Sequence, residues 1–557
     1  MSEENLRVFG IDLGTTYSAI AYVDTAGKPA VCRNLDSQEI TPSVVFFENE
    51  SNVVVGSVAK NSAVNYGDRV VSLIKRQMGT KATFEFDGTP QTPESISALI
   101  LKQLAKDAAA YVNGEVSKVV ITVPAYFGML EKDATKNAGK IAGLDVIGIV
   151  PEPVAAALHY EATTEAENKT ILVYDLGGGT FDTTVIRVAK DEIVVVCTDG
   201  NDHLGGADWD ARLRECLLAK FREGVPPGTD PEDDEEFLQS LTILAEETKK
   251  RLSQRESTPV PLRGAGAVAR VDLSRAEFEA VTEDLLDKTI EIVRRTLETL
   301  EEKSPGASID DVLLVGGSTK MPAVLRRLRA EFGWEPKLHD PDLAVAKGAA
   351  LYALGRVVHR ELQTAHDLAD TEDEARSRIA EAVDTVAAQT GISTTTLESL
   401  ATKETRNVLP KAFGVKLVDT TDPDWDSKSP QYYVEHLVHA NDPLPTGIRE
   451  LSAATVVQGQ RQIHVELYEQ SGVVAGPDLA ENKELNEGHG FIPCPPALPA
   501  GSPVDIALEV DEEGLLIMNA TERSTGEKLE VQVRVSVLSA EQVDEATKII
   551  SGITVSS

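Results

Sequence analysis

Over the first 358 residues the hydrophobic pattern alternates between strand-like and helix-like runs, as an α/β unit requires. Two phrases recur in it. Residues 7–23 read RVFGIDLGTTYSAIAYV, and residues 170–188 read TILVYDLGGGTFDTTVIRV. Each is an apolar strand, an Asp, a tight turn carrying Gly and Thr, and a second strand. VSKVVITVPAYF (116–127) predicts a buried strand followed by a turn, and EKDATKNAGKIAGL (131–144) a helix ending near Gly143. VIGIVPEPVAAALHY (146–160) predicts a strand, a Pro-bounded turn and a helix, and 230–255 an acidic helical segment. DVLLVGGSTKMPAVLRRLRAEF (311–332) predicts a strand, a Gly-Gly turn and a helix, which puts amides and a positive helix end at the turn.

Residues 359–407 change character. HRELQTAHDLADTEDEARSRIAEAVDTVAAQTG is rich in Ala and Glu with apolar residues at helical spacing, and a polar stretch follows. This predicts a helical connector; a packed element and a loosely ordered hinge both fit the pattern. Residues 408–538 switch to period-two alternation, as in AFGVKLVD, RQIHVELYE and VDIALEVDEEGLLIMNATE, with turns at 511–514 and 525–527. An all-β module of sandwich type is expected there. The tail 539–557 allows one short helix and no more.

A chain of 557 residues exceeds the ~250–300 residues at which single cores stop growing, so several domains are expected. Its formal net charge of −36 disfavours nucleic acid and anionic membrane surfaces as partners. Cys32, Cys197, Cys216 and Cys494 form no C-x-x-C pair and adjoin no His cluster. A zinc site or disulfide framework is therefore not expected, and a reducing cytoplasm suits this usage. The start MSEENLRVFG has no signal-peptide pattern, and no apolar run approaches membrane-spanning length.

The recurring phrases carry the chemistry. Gly14 and Gly177-Gly178-Gly179 let backbone approach phosphate oxygens where a Cβ would collide. Consecutive turn amides form an anion-binding concavity, and the hydroxyls of Thr15, Thr16 and Thr180 add donors. Asp12 and Asp175 would repel bare phosphate, so their presence implies a divalent cation between them. Mg²⁺, which keeps most of its waters and uses few carboxylates, fits. Either phrase alone could be an ordinary glycine hairpin. Written twice, they predict two turns closing on one nucleotide.

GIDLGTTYS, TPSVVFF, IKRQMG, ITVPAYF, ATKNAGKIAGL, PEPVAAALHY, DLGGGTFD, HLGGADWD, VGGSTKMP and DPDLAVAKGAA occur in order along the chain. With this set the sequence resembles the DnaK-type, seventy-kilodalton heat-shock chaperones over nearly its whole length. The resemblance implies an α/β actin-like ATPase domain of two lobes with two phosphate-binding hairpins, then the helical connector and an all-β sandwich-like domain. The expected boundaries are 1–358, 359–407, 408–538 and a short tail 539–557. ATP/ADP, Mg²⁺ and a monovalent cation such as K⁺ are the implied cofactors.

The resemblance also implies roles. Asp12 and Asp175 would hold Mg²⁺ through waters, and Asp182 would seat the monovalent ion. Thr15, Thr16, Tyr17 and Thr180 would contact the nucleotide, Thr180 at the γ-phosphate. Lys75 would place its ammonium on the γ-phosphate and attacking water, and Glu152 would orient that water or couple it to the domain interface. Gly205 and Gly206 would close on the phosphates. Glu246, Lys249, Lys250 and Ser253 would clamp ribose and adenine, with Gly316, Gly317, Ser318, Lys320 and Asp342 on the other side. No strong general base is visible, so slow hydrolysis is expected, suited to a switch.

The chain departs from the family pattern in four places. The short apolar-acidic interdomain linker is missing, and its place is taken by 359–407. A long helical lid is not expected before Ser557. In the β module Arg461 falls where a small apolar residue forms the central peptide pocket, with Val418 and Ala454 as neighbours. Gly148 and Lys132 replace arginines associated with co-chaperone response and nucleotide signalling, which puts a J-domain partner and exchange factors in doubt. The leading expectation is an ATP-regulated chaperone-like protein whose lidless β module binds unfolded or extended peptide. The alternative is a nucleotide-gated scaffold holding one dedicated protein partner; a small-molecule kinase is the third class.

Overall fold

The computed structural model describes all residues except 1–5, 165–167, 227–229, 421–429, 473, 496–497, 513 and 534–535. The two recurring phrases form the centres of two sheets of the same design. In the first lobe the hairpin Phe9–Asp12/Tyr17–Val23 is antiparallel, and its first strand pairs in parallel with Lys118–Val123, which pairs in parallel with Asp145–Pro151. In the second lobe the hairpin Lys169–Leu176/Phe181–Val188 pairs, again through its first strand, in parallel with Asp311–Val315. These strands read as continuous apolar runs because helices cover both faces; Val119, Ile121, Leu172 and Val173 are wholly buried. The strand Asp145–Pro151 passes directly into the helix Glu152–Thr164, with no turn between them. Glu152 therefore opens a helix rather than sitting in a loop.

The helix Ala344–Asp367 runs through the expected 358/359 boundary, so the change of composition there marks no break in structure. Beyond it the connector is packed. Helix Glu372–Thr390 starts on a Thr371 cap and stops at Gly391 with φ 74°, and helix Thr394–Ala401 starts on a Ser393 cap. Val383, Val386, Ile392, Leu397 and Ala401 are buried. All but Val383 join the core that also holds Ile171, Val173 and Val358. Strand Glu404–Arg406 then adds to the second lobe's sheet in parallel with Glu192–Val194. A polar strand thus occupies the interdomain position where no linker was expected.

The β module packs two four-stranded sheets face to face. One runs Tyr432–Val438, Phe413–Val418, Gln462–Gln470, Asn482–Pro493, and the other Arg449–Ala454, Pro503–Val510, Leu516–Glu522, Lys528–Val533. Phe413, Val415, Leu467, Ile506, Leu508 and Met518 fill the space between them. The module rests on both lobes. Met129 N, at the start of helix Met129–Ile141, donates to Glu469 Oε1 at 3.3 Å, and Leu130 is buried in the module's core. In the second lobe Thr198 N donates to Asn441 Oδ1 at 2.7 Å, and Lys303 donates to Asn441 O.

The tail holds more than one short helix. Helix Ala540–Gly552 lies on the first lobe, and Thr554–Ser556 pairs in parallel with Asn52–Val55. Ile550, Ile553 and Val555 enter the same core as Val53 and Leu99. A three-residue strand has no periodicity to read, and its partner strand lies some 500 residues earlier in the chain. Among the described residues no helix is long and apolar enough to cross a membrane.

Candidate functional site

The two hairpin turns meet tip to tip between the lobes. A Cβ on Gly178 would fall inside the Thr16 side chain, and one on Gly179 inside that of Thr15. That close approach accounts for the glycine run in the second turn. Around the meeting point lies a cavity of about 330 Å³. Its lining includes every residue assigned above to catalysis or nucleotide except Gly179 and Gly205, together with Asp12 of the metal set; Asp182 does not line it.

At the cavity floor the Lys75 ammonium donates to Glu152 Oε1 at 2.6 Å, and both side chains are buried. Lys75 comes from the 3-10 turn Ile74–Gln77, Glu152 from the first turn of its helix. Asp12 ends the first hairpin's leading strand and accepts from Thr122 Oγ1 at 3.3 Å; burial, and then the charge of Glu152, raise its pKa to about 7. Asp175 is raised well above the ordinary carboxylate range by burial, Glu152, Asp182 and Asp12, against the pull of Lys75. Asp182, directly across the hairpin from Asp175, is raised by burial and by Glu152. Its Oδ1 accepts from Tyr126 N at 3.1 Å, while its buried Oδ2 has no partner.

Such a crowd of carboxylates fits a site that receives cations. Among the described residues no three metal-ligating side chains converge into a direct cage. Asp12 and Asp175 would therefore meet Mg²⁺ through its retained waters, and the orphaned Asp182 oxygen offers an acceptor to a second cation.

The opposite wall is organised by charge. Tyr17 Oη donates to Glu246 Oε1 at 2.8 Å and accepts from Lys250 Nζ at 2.7 Å and Lys60 Nζ at 3.1 Å. Burial pushes the Glu246 pKa up, but Lys60 and Lys250 overcome it and hold the carboxyl at about 2. Lys249 donates to Gly206 O at 2.7 Å and pairs with Asp210 at 2.8 Å, which ties it to the glycine turn that opens helix Gly206–Gly224. Ser318 Oγ donates to Gly177 O at 2.9 Å, Lys320 pairs with Asp342, and Ser253 lies one helical turn beyond Lys249. Gly316 takes φ 83°, a left-handed turn between strand and 3-10 helix.

Sequence reasoning missed Lys60, Arg76, Thr122, Asp208 and Asp210. Arg76 sits beside Lys75 in IKRQMG, Thr122 lies within ITVPAYF, and both aspartates lie inside HLGGADWD, so those motifs contained the signal. Lys60 lies in no motif quoted above. In the β module Val418 pairs with Tyr432, Ala454 pairs with Pro503 in the other sheet, and Arg461 is exposed just before its strand. No hydrogen bond or ion pair joins these three. Lys132 lies on helix Met129–Ile141 at the module interface, where burial lowers its pKa to about 8. Gly148 lies in a first-lobe strand opposite Val120.

Paired sheets of one design, with two phosphate-type hairpins closing on a carboxylate-rich cleft, define a two-lobed nucleotide-binding ATPase. The profile of the family described as Hsp70 protein matches residues 8–86 and 80–370, and the chain belongs to that family. It is 34% identical over 538 residues to the chaperone protein DnaK of Thermotoga neapolitana, covering 95% of this chain and 80% of that one. The DnaK of Thermotoga maritima matches to the same extent, and that of Thermosipho melanesiensis is 40% identical over 360 residues, 63% of this chain and 60% of its own. The protein is an ATPase of the Hsp70 type.

Proposed function

We propose that this chain is an ATP-dependent chaperone that hydrolyses ATP slowly and uses the cleft to control a peptide-binding β module. The observation that carries this reading is the buried Lys75–Glu152 pair at the meeting of two glycine turns, in a cleft whose two lobes both touch the module. Asp12 and Asp175 would hold Mg²⁺, which would supply neutralisation of phosphate charge. Lys75 steadies the γ-phosphate oxygens and the attacking water, and Glu152 holds the Lys75 ammonium in place. Thr180, buried at the second turn, orients the transferred group. Positioning and charge neutralisation are then the whole of the catalysis, which suits slow turnover.

Residues 540–556 lie against the first lobe rather than over the β module, which supports a module without a helical cover within this chain. Four unpaired cysteines suit a cytoplasmic setting. Binding of a labelled unfolded-peptide library to the full chain, with and without ATP, tests the reading. Nucleotide-sensitive binding is expected. Intact hydrolysis with no binding in either state would overturn it in favour of a single dedicated partner.

A further inference from the structure

Lys75 and its neighbour leave the same 3-10 turn in different directions. Lys75 turns to Glu152, while Arg76 crosses from the first lobe to the second. Its Nε donates to Gly179 O at 2.9 Å, and its Nη1 and Nη2 fork onto Asp208 Oδ1 and Oδ2 at 3.3 and 2.5 Å. The same Asp208 carboxylate accepts from Gly205 N at 2.7 Å, and Gly206 N and Ala207 N donate to Gly177 O and Gly178 O at 3.0 and 2.8 Å. One guanidinium therefore grips both glycine turns of the second lobe from the segment that carries Lys75. The fork geometry is one that lysine cannot supply.

We propose that Arg76 is a positioning residue, a cross-cleft latch that holds the lobes closed on nucleotide and sets the glycine turns against the Lys75 segment. The test is stopped-flow release of fluorescent ADP together with single-turnover hydrolysis. For Arg76→Ala the expected results are ADP release about tenfold faster, the factor that roughly 1.4 kcal/mol represents, and slower hydrolysis of bound ATP. Arg76→Lys should fall between this variant and the parent. Asp208→Asn, which keeps an acceptor for Gly205 N, should accelerate release similarly. Combining it with Arg76→Ala should add little, because the two act through one contact. Unchanged release in Arg76→Ala, or fully additive effects in the double variant, would overturn the proposal. The nucleotide-free melting temperature is read alongside; a release defect matched by global loss of stability in both single variants would also count against a latch.

The β module is tied to the ATPase unit at both of its chain ends, and to a different lobe at each. Ahead of it, Glu404–Arg406 is a strand of the second lobe's sheet, anchored by the docked connector helices. After it, Thr554–Ser556 is a strand of the first lobe, in register Thr554↔Asn52, Val555↔Val53 and Ser556↔Val54. Lys102 Nζ donates to Ile550 O and Ile553 O at 2.8 Å each, and Lys106 Nζ to Val555 O at 2.7 Å. The module cannot leave the lobes without stripping a strand from a sheet or stretching its own ends.

We infer that this terminal strand is a strap that keeps the β module docked whatever nucleotide is bound. Förster transfer between dyes on the exposed positions Glu527 and Lys190 of the full chain is expected to stay the same with ADP, with ATP and without nucleotide. Thr554→Pro deletes the N–H that Thr554 gives to Ser51 O at 2.8 Å, at an exposed side chain, and should make the transfer nucleotide-dependent. Val555→Asp, which buries a charge in the first-lobe core, should do the same. A parent chain whose module separates on exchanging ATP for ADP would overturn the inference, as would unchanged transfer in both variants.

Discussion

Replacing Lys75 by Met removes the cation that faces Asp12, Asp175, Asp182 and Glu152 while keeping an apolar stem of similar length. Two separate losses should follow. The Lys75 and Glu152 side chains are only 5% and 9% exposed, so Glu152 is left buried without its partner. Breaking a buried pair from one side costs about 3–5 kcal/mol. Proton uptake by the carboxylate cluster relieves part of that, so the lower end of the range is the expectation. Lys75→Met/Glu152→Gln removes the stranded charge as well, and its nucleotide-free stability should return to within about 1 kcal/mol of the parent, since apolar or neutral replacement of both partners is tolerated. Hydrolysis should not return with it. A charged donor aimed at the transferring group is worth about 10²–10³ in rate, and neither variant has one. Chemical denaturation without nucleotide reads the first loss, and single-turnover hydrolysis of pre-bound ATP reads the second. Hydrolysis within a few-fold of the parent in Lys75→Met would refute the catalytic placement. A double variant as unstable as the single would refute the account of where the stability goes.

Gly178→Ala drives a methyl into Thr16; nucleotide affinity should fall sharply, and calorimetric titration with ADP checks it. Leu397→Ala empties a fully buried site between the connector and helix Ala344–Asp367, at a cost of about 2–5 kcal/mol. Limited proteolysis should then cut within 368–403, where the parent resists. His159 is held to a pKa of about 4 by burial, His339 and Lys347 against the pull of Asp340, so the folded chain takes up its proton later than the unfolded one. Stability is therefore present above pH 6.5 and is lost as pH falls toward 4, by on the order of 3 kcal/mol in all. A pH series of melting temperatures should show this slope, and His159→Leu should flatten it.

The nucleotide cleft was legible because its signals are local. A hairpin with an Asp at its strand end and glycines in its turn is written within about 17 residues, and the second copy repeats it. Strand–helix alternation marked both lobes, and period-two alternation marked the sandwich, because burial on one face leaves a pattern in any window of a strand. Gly14, Thr15, Thr16, Gly177, Gly178 and Thr180 line the cleft from those same turns, while Lys75, Glu152 and Glu246 reach it from other elements.

What the sequence alone determined, then, was element type, the two glycine-turn hairpins and membership of the family. Tertiary structure decided which distant charges meet: Lys60 with Glu246 and Arg76 with Asp208. Each partner is a polar residue on a surface-type helix or turn, and nothing within its own window distinguishes it from a solvated charge. The same holds for the connector, whose apolar stripe became a packed layer because helix Ala344–Asp367 presents a complementary face. It holds most clearly for Thr554–Ser556: three residues carry no periodicity, and they are a strand only because the free edge of Asn52–Val55 and the ammonium group of Lys106 receive them.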